Sequence, residues 1–189
     1  FRTSAGAAAL LAARQQAHAA VNSPGLQRWL TTLRGVGGAT GIPVAASDGT
    51  RTWPGPTVAT HYTIDIRQFT DVLHPSLPAT TLWGYGQGTD LTKFKHLGGI
   101  IVAETATPIQ ITFRNHLPAT HILPVDITVP GANQAQNRVA VHIHGGHVPW
   151  ISDGGPHDWW EPLGTHGLSF LNNAVLNPTA ALNEAEYYY

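Results

Sequence analysis

The chain has 189 residues, of which 42% are hydrophobic and only 11% charged, with a formal net charge of −1. So few charges argue for a chain that buries most of itself, and nothing in the balance attracts nucleic acid or an anionic membrane. The absence of cysteine excludes disulfides, iron–sulfur clusters, thiolate-ligated zinc and, within this chain, a blue-copper site, whose metal needs a thiolate.

The first residue is Phe1, not Met, which suggests a processed or truncated start. "FRTSAGAAALLAARQQAHAA" runs from an arginine through a short Ala/Leu stretch to an Ala-His-Ala end. Residues 1–22 fit the remnant of a bacterial export signal of twin-arginine type, which would place the protein in the periplasm or outside the cell. An Ala-rich helix fits the composition equally well. Either way the apolar run is too short to cross a membrane.

Residues 23–56 are expected to form a helix and a linker. Ser23 suits an N-cap, Pro24 the first helical position and Gly35 the stop. Leu26, Trp29, Leu30 and Leu33 would then share one apolar stripe, and "GVGGATGIP" reads as a loop.

From about residue 57 the apolar pattern changes to period two. In "HYTIDIRQF", Tyr62, Ile64 and Ile66 share one face while Thr63, Asp65 and Arg67 share the other. "PIQITFRN" repeats the scheme, with Ile109, Ile111 and Phe113 inward. "GGIIVAE", "HILPVD", "RVAVHIH" and "GLSFLNNAV" read as further short strands separated by Gly, Pro and Asn. The pattern predicts an all-β sandwich or barrel over 57–189, with a short helical N-terminal arm.

Eleven histidines outnumber the ten lysines and arginines together, and imidazole is the commonest metal ligand. In "RVAVHIHGG", Val139, Val141 and Ile143 alternate with Ala140, His142 and His144. Strand residues two apart lie roughly 6.6 to 6.8 Å apart with side chains on one side. His142 and His144 can therefore converge on one ion or hold two, or simply face solvent as a strand pair. A cupin would need a Glu shortly downstream, but position 148 is Val and the next acid is Asp153. A zinc hydrolase would need a third ligand; His147 and His157 are available at spacings that are not diagnostic. His61, His74, His96, His116, His121 and His166 lack such pairing and read as structural or surface residues. Trp159 and Trp160 read most simply as packing residues.

Three stretches carry a resemblance: "TTLWGYGQG", "PIQITFRNHLPATHILPVDITVPG" and "VAVHIHGGHVPWISDGGPHDWW". In this order they resemble the first cupredoxin domain of multicopper oxidases, in the branch of bacterial spore-coat laccases, bilirubin oxidases and phenoxazinone synthases. The resemblance runs from about residue 60 to the end and implies a cupredoxin-like Greek-key fold. It implies a type 2/type 3 trinuclear copper cluster that reduces dioxygen to water, while a phenolic or other small organic donor is oxidised at a type 1 copper. It makes His142 the type 2 copper ligand and His144 a type 3 ligand. Asp153, in the "SDG" stretch, becomes a candidate for proton delivery, or equally a loop-capping residue. His147 falls outside the pattern.

Two departures stand out. "WPGPT" lies at residues 53–57 and not after "LWGY". The chain also ends at "NEAEYYY", where the resemblance would lead into a second histidine pair, and the type 1 copper and remaining cluster ligands are expected in a part not present here. The final tyrosines would leave an unpaired β edge. The expected partner is therefore a larger chain carrying the remaining cupredoxin domains, supplied separately or by the uncleaved protein. The reading from another class is a non-catalytic copper-binding or delivery module of cupredoxin fold.

Overall fold

The computed structural model describes residues 25–52 and 57–189. The chain divides into a short N-terminal unit ending at Thr32 and a unit spanning Leu33–Tyr189. The arm at 1–22, with Ser23 and Pro24, lies outside the described residues. From residue 25 to 34 there is no helix, and the helix expected over 23–35 does not form in its described part. Trp29 takes a left-handed φ of 63° and is exposed, as is Leu33. A short helix is marginal unless a neighbouring surface covers its apolar stripe, and here the stripe stays in solvent.

In the second unit, five strands form one sheet curled into half a barrel: β1 (Gly49–Thr52), β2 (Val58–Asp71), β3 (Thr80–Gly86), β4 (Ile109–Asn115) and β5 (Glu184–Tyr188). The long β2 is the spine. Its first residues pair antiparallel with β1 and its last seven with β3, while β4 runs parallel along its other edge. β5 joins β4 antiparallel, giving the order β1-β2-β4-β5. The fold is all-β, as the period-two pattern predicts, with one short α-helix among the described residues, α1 (Asn172–Leu176).

The predicted inward face is the core. Tyr62, Ile64, Ile66, Ile111 and Phe113 are buried together with Leu117, Val141, Trp160, Ala185 and Tyr187. Rings pack edge to face through it, Tyr85 on Phe113 at 5.9 Å and Phe113 on Tyr187 at 5.4 Å. Trp159 and Trp160 are packing residues, as expected, at 4% and 1% exposure.

The opposite face is also buried, although it is polar. Glu186 is fully buried and accepts from Gln110 Nε2 at 2.9 Å, Thr112 Oγ1 at 2.8 Å and Asn177 Nδ2 at 3.2 Å. Beside it His61 contacts Asp48 through Nδ1 and Thr112 Oγ1 through Nε2, the latter at 2.9 Å. Asp65, 1% exposed, meets His116 Nε2 at 2.9 Å, Arg114 Nε at 3.2 Å and the Gly88 amide at 2.7 Å. His61 and His116, read from sequence as structural or surface residues, are structural here: each sits against a carboxylate. Buried charges persist only when paired and hydrogen-bonded, and these are.

Four of the expected strands are not strands. "GGIIVAE" and "RVAVHIH" each contribute a single bridge residue, Ile100 to Val44 and Val139 to Trp160. "HILPVD" forms bends, and "GLSFLNNAV" becomes a turn followed by α1. The β5 edge is also less open than expected. Asn173 Nδ2 donates to Glu184 O at 2.8 Å, and the Glu186 amide donates to Asn173 Oδ1 at 3.0 Å. Asn172 Nδ2 donates to Glu186 O at 3.2 Å, and the Tyr188 amide donates to Ser152 Oγ at 2.9 Å. These side chains satisfy backbone groups that an added strand would otherwise take. Among the described residues no helix is long and apolar enough to cross a membrane.

Candidate metal centre

His142 and His144 lie on an extended segment that is pinned at one end. Val139 exchanges both backbone hydrogen bonds with Trp160, at 2.9 and 3.0 Å, and Val141 is buried in the core. Gly145, at φ 78°, then turns the chain, and the imidazoles on either side of Ile143 stand exposed. Their ring centroids are 6.0 Å apart with planes at 71°. The alternation seen in sequence holds from Val139 to His142 only, since Ile143 is exposed together with the two histidines and no neighbouring strand enforces the pattern.

A loop takes the place of that strand. Trp150–Ser152 form one 310 turn, closed by the Asp153 amide donating to Trp150 O at 3.3 Å. The chain then passes through Gly154 at φ 72°. A Cβ at Gly154 would lie 1.7 Å from Val141 O and 3.1 Å from His142 Cα. Only glycine allows this close approach and this backbone angle. The approach brings Asp153 onto His142: His142 Nδ1 donates to the Asp153 carbonyl at 2.5 Å, with the Asp153 carboxylate 3.4 Å from the same nitrogen. The "SDG" stretch and the first histidine are thus one unit.

That contact fixes the chemistry of the ring. With its Nδ1 proton held by a carbonyl, neutral His142 presents Nε2 as its free lone pair, the usual arrangement behind a metal-ligating imidazole. Copper binds imidazole readily, so the donor type fits. Two imidazoles fill only part of a copper coordination shell, and among the described residues no group of three His, Cys, Asp or Glu side chains converges on one point. His147 is exposed near the pair but does not complete a third position. The residues present therefore fit part of a copper coordination shell.

Behind the segment lies a buried acid that pattern reading did not single out. Asp158 is 4% exposed, its Oδ1 has no hydrogen-bond partner, and burial pushes its carboxyl up to about 6. The Tyr187 hydroxyl is likewise buried without a partner, and burial followed by the charge of Asp158 pushes it well above the ordinary phenol range. Glu186 also carries more of the structure than its sequence context suggests. For Glu186 a signal was present: it alternates with the buried Ala185 and Tyr187 on a strand.

No protein-family profile matches the chain. Known relatives do. It is similar to multicopper oxidase LPR1 homolog 1 of Oryza sativa subsp. japonica, with 39% identity over 115 residues, covering 60% of this chain and 19% of that protein. It is similar to the laccase of Bacillus subtilis (strain 168), 32% identical over 105 residues, covering 53% of this chain and 19% of the relative. A laccase of Haloferax volcanii is 32% identical over 121 residues, covering 58% and 20% respectively. These similarities support a multicopper oxidase cupredoxin domain in about half of the chain. It spans about a fifth of the length of these relatives.

Proposed function

We propose that residues 57–189 are the first cupredoxin domain of a laccase-like multicopper oxidase, and that His142 and His144 are its contribution to a trinuclear copper cluster. The observation that carries this reading is the exposed His142–His144 pair with His142 Nδ1 already held by the Asp153 carbonyl. His142 would hold the type 2 copper and His144 a type 3 copper. When bound, the cluster supplies the four-electron reduction of dioxygen to water, with electrons from a phenolic or other small organic donor oxidised at a type 1 copper.

The chain's own residues orient and buffer. The Asp153 carbonyl fixes the His142 tautomer and ring plane. The Asp153 carboxylate, exposed and 3.4 Å from His142 Nδ1, stands between solvent and the rim of the site, where a proton relay would pass. Gly154 keeps that loop against the ligand segment. The remaining ligands come from further cupredoxin domains, on a second chain or on the same polypeptide. The protein works in the periplasm or outside the cell after export through residues 1–22.

Purification of the protein from its native host under non-denaturing conditions, with mass analysis and metal quantification, tests the reading. It predicts a copper-loaded, dioxygen-consuming species in which this sequence accompanies further cupredoxin domains. A chain of this length alone, binding copper and turning over dioxygen, would overturn the shared cluster. Copper bound without oxidase turnover in any assembly would point to the delivery module.

A further inference from the structure

Asp153 and Gly154 form a pair whose own chemistry the metal reading leaves unused. The tripeptide Ser-Asp-Gly occurs at residues 47–49 and again at 152–154. An aspartate followed by glycine can cyclise: the glycine amide nitrogen attacks the aspartate Cγ, one water leaves, and a succinimide ring forms. Glycine favours this closure because no Cβ shields the attacking nitrogen. Water then reopens the ring. Opening at the α-carbonyl routes the main chain through Cβ and Cγ and yields isoaspartate, so the water lost is regained and no electron changes hands.

The fold treats the two copies oppositely. Both carboxylate oxygens of Asp48 are engaged, Oδ1 with His61 Nδ1 and Oδ2 as acceptor from Thr63 Oγ1 at 2.5 Å. The Gly49 amide donates to Ser47 Oγ at 3.2 Å, and Gly49 opens β1 in register with His61 on β2. Asp153 has no such enclosure. Its side chain is 56% exposed, and its basic neighbour, His142 Nδ1 at 3.4 Å, already gives its proton to the Asp153 carbonyl. Among the described residues the Gly154 amide donates no hydrogen bond, and a Cβ at Gly155 would meet only open space.

One bond restrains Asp153. Ring closure needs the Gly154 nitrogen eclipsed with the Asp153 Cβ about the Cα–C bond, and at ψ −23° it is not. Turning the peptide into that position swings the Asp153 carbonyl off His142 Nδ1. The His142 bond is therefore the gate, and a single bond to an exposed ring opens far more often than the β1–β2 pairing that holds Asp48.

We propose that Asp153–Gly154 is a site of spontaneous isoaspartate formation, gated by the His142–Asp153 hydrogen bond, while the same tripeptide at Asp48–Gly49 is protected. In the product the carbonyl that orients His142 has become a free carboxylate, and the chain to Gly154 is one methylene longer. The modification thus loosens His142 and creates the kind of carboxylate that S-adenosylmethionine-dependent isoaspartate methyltransferases esterify. The inference uses His142 only as a hydrogen-bond donor, so it stands or falls apart from the copper reading.

The test is to age the metal-free 189-residue chain in oxygen-18 water at neutral pH, digest it in ordinary water, and locate isoaspartate by electron-transfer fragmentation. A parallel sample is kept unfolded in urea, where the two tripeptides lose their different surroundings. In the folded chain isoaspartate should build up at Asp153 at least about tenfold faster than at Asp48, each event carrying one heavy oxygen, whereas in urea the rates should agree within about threefold. His142→Ala and His142→Phe both remove the gate, and whichever stays folded should raise the Asp153 rate several-fold with the Asp48 rate unchanged. Equal folded rates at the two positions, or no conversion at Asp153, would overturn the site. An unchanged Asp153 rate in the folded His142 variant would overturn the gate.

Discussion

The contact between the "SDG" loop and the ligand segment makes Gly154→Ala the most informative substitution. A methyl group there would stand 1.7 Å from Val141 O, a backbone atom that cannot rotate away, at a φ of 72°. The left-handed angle alone costs a non-glycine residue about 1 to 2 kcal/mol. Relieving the clash means moving the loop off Val141 and giving up the His142–Asp153 bond, worth about another 1 kcal/mol. The sum is about 2 to 3 kcal/mol, readable in urea melts followed by tryptophan fluorescence. Outer partners of a ligating histidine typically tune metal affinity by about 10- to 100-fold, so Cu(II) affinity should fall at least tenfold. Gly155→Ala is the matched control, because its Cβ would meet nothing within 4 Å, and it should be close to neutral. If Gly154→Ala melted within about 0.5 kcal/mol of the parent and bound copper as tightly, the loop would not be positioning His142.

Three further outcomes follow from the buried polar groups. Glu186→Gln puts an amide donor against Gln110, Thr112 and Asn177, and should cost about 3 kcal/mol in chemical denaturation. Burial pushes the Glu186 carboxyl up, but its His61, Thr112 and Gln110 hydrogen bonds outweigh this and hold it below the ordinary range. Its stabilisation is therefore present above the unfolded value and lost as pH falls through the depressed folded value, so the variant's acid unfolding curve should be flatter than the parent's. The Arg34 guanidinium holds Asp71 at about 2, so Arg34→Ala should cost about 1 kcal/mol at neutral pH, given partial exposure, and progressively less as pH falls toward and below 2. Asp158 has the opposite sign: burial raises it to about 6, so the folded state loses stability as pH rises from the unfolded carboxyl value through 6. Asp158→Asn should accordingly be more stable than the parent at pH 8, by on the order of 2 kcal/mol, and no more stable at pH 4.

The strands that could be read from sequence are those whose alternation answers to two neighbours. β2 and β4 pair with each other and with flanking strands, so Tyr62, Ile64, Ile66, Ile111 and Phe113 had to share a face. The histidine segment alternates as expected up to His142, with Val141 buried and His142 exposed, but its neighbour is the Gly154 loop, a partner that no periodicity announces. "GLSFLNNAV" is apolar enough for a strand, yet Asn172 and Asn173 direct their amides to the β5 backbone from a helix. The polar face of the sheet was legible as polar but not as buried, because Asn177 and Asp48, which help to satisfy it, lie outside the strands in loops that carry no periodic signal. The stretch after Pro24 shows the reverse failure: the capping signals are good, but Leu26, Trp29, Leu30 and Leu33 are exposed and tertiary burial does not follow.

The central claim is that His142 and His144 supply imidazole ligands to copper. The most direct measurement is Cu(II) binding to the purified chain by electron paramagnetic resonance, comparing the parent with His142→Ala, His144→Ala and the double variant, and with His147→Ala as control. The account predicts nitrogen couplings in the parent that diminish in each single variant and vanish in the double variant, while His147→Ala leaves them in place. Unchanged couplings and affinity in the double variant, or their loss on replacing His147 alone, would contradict it.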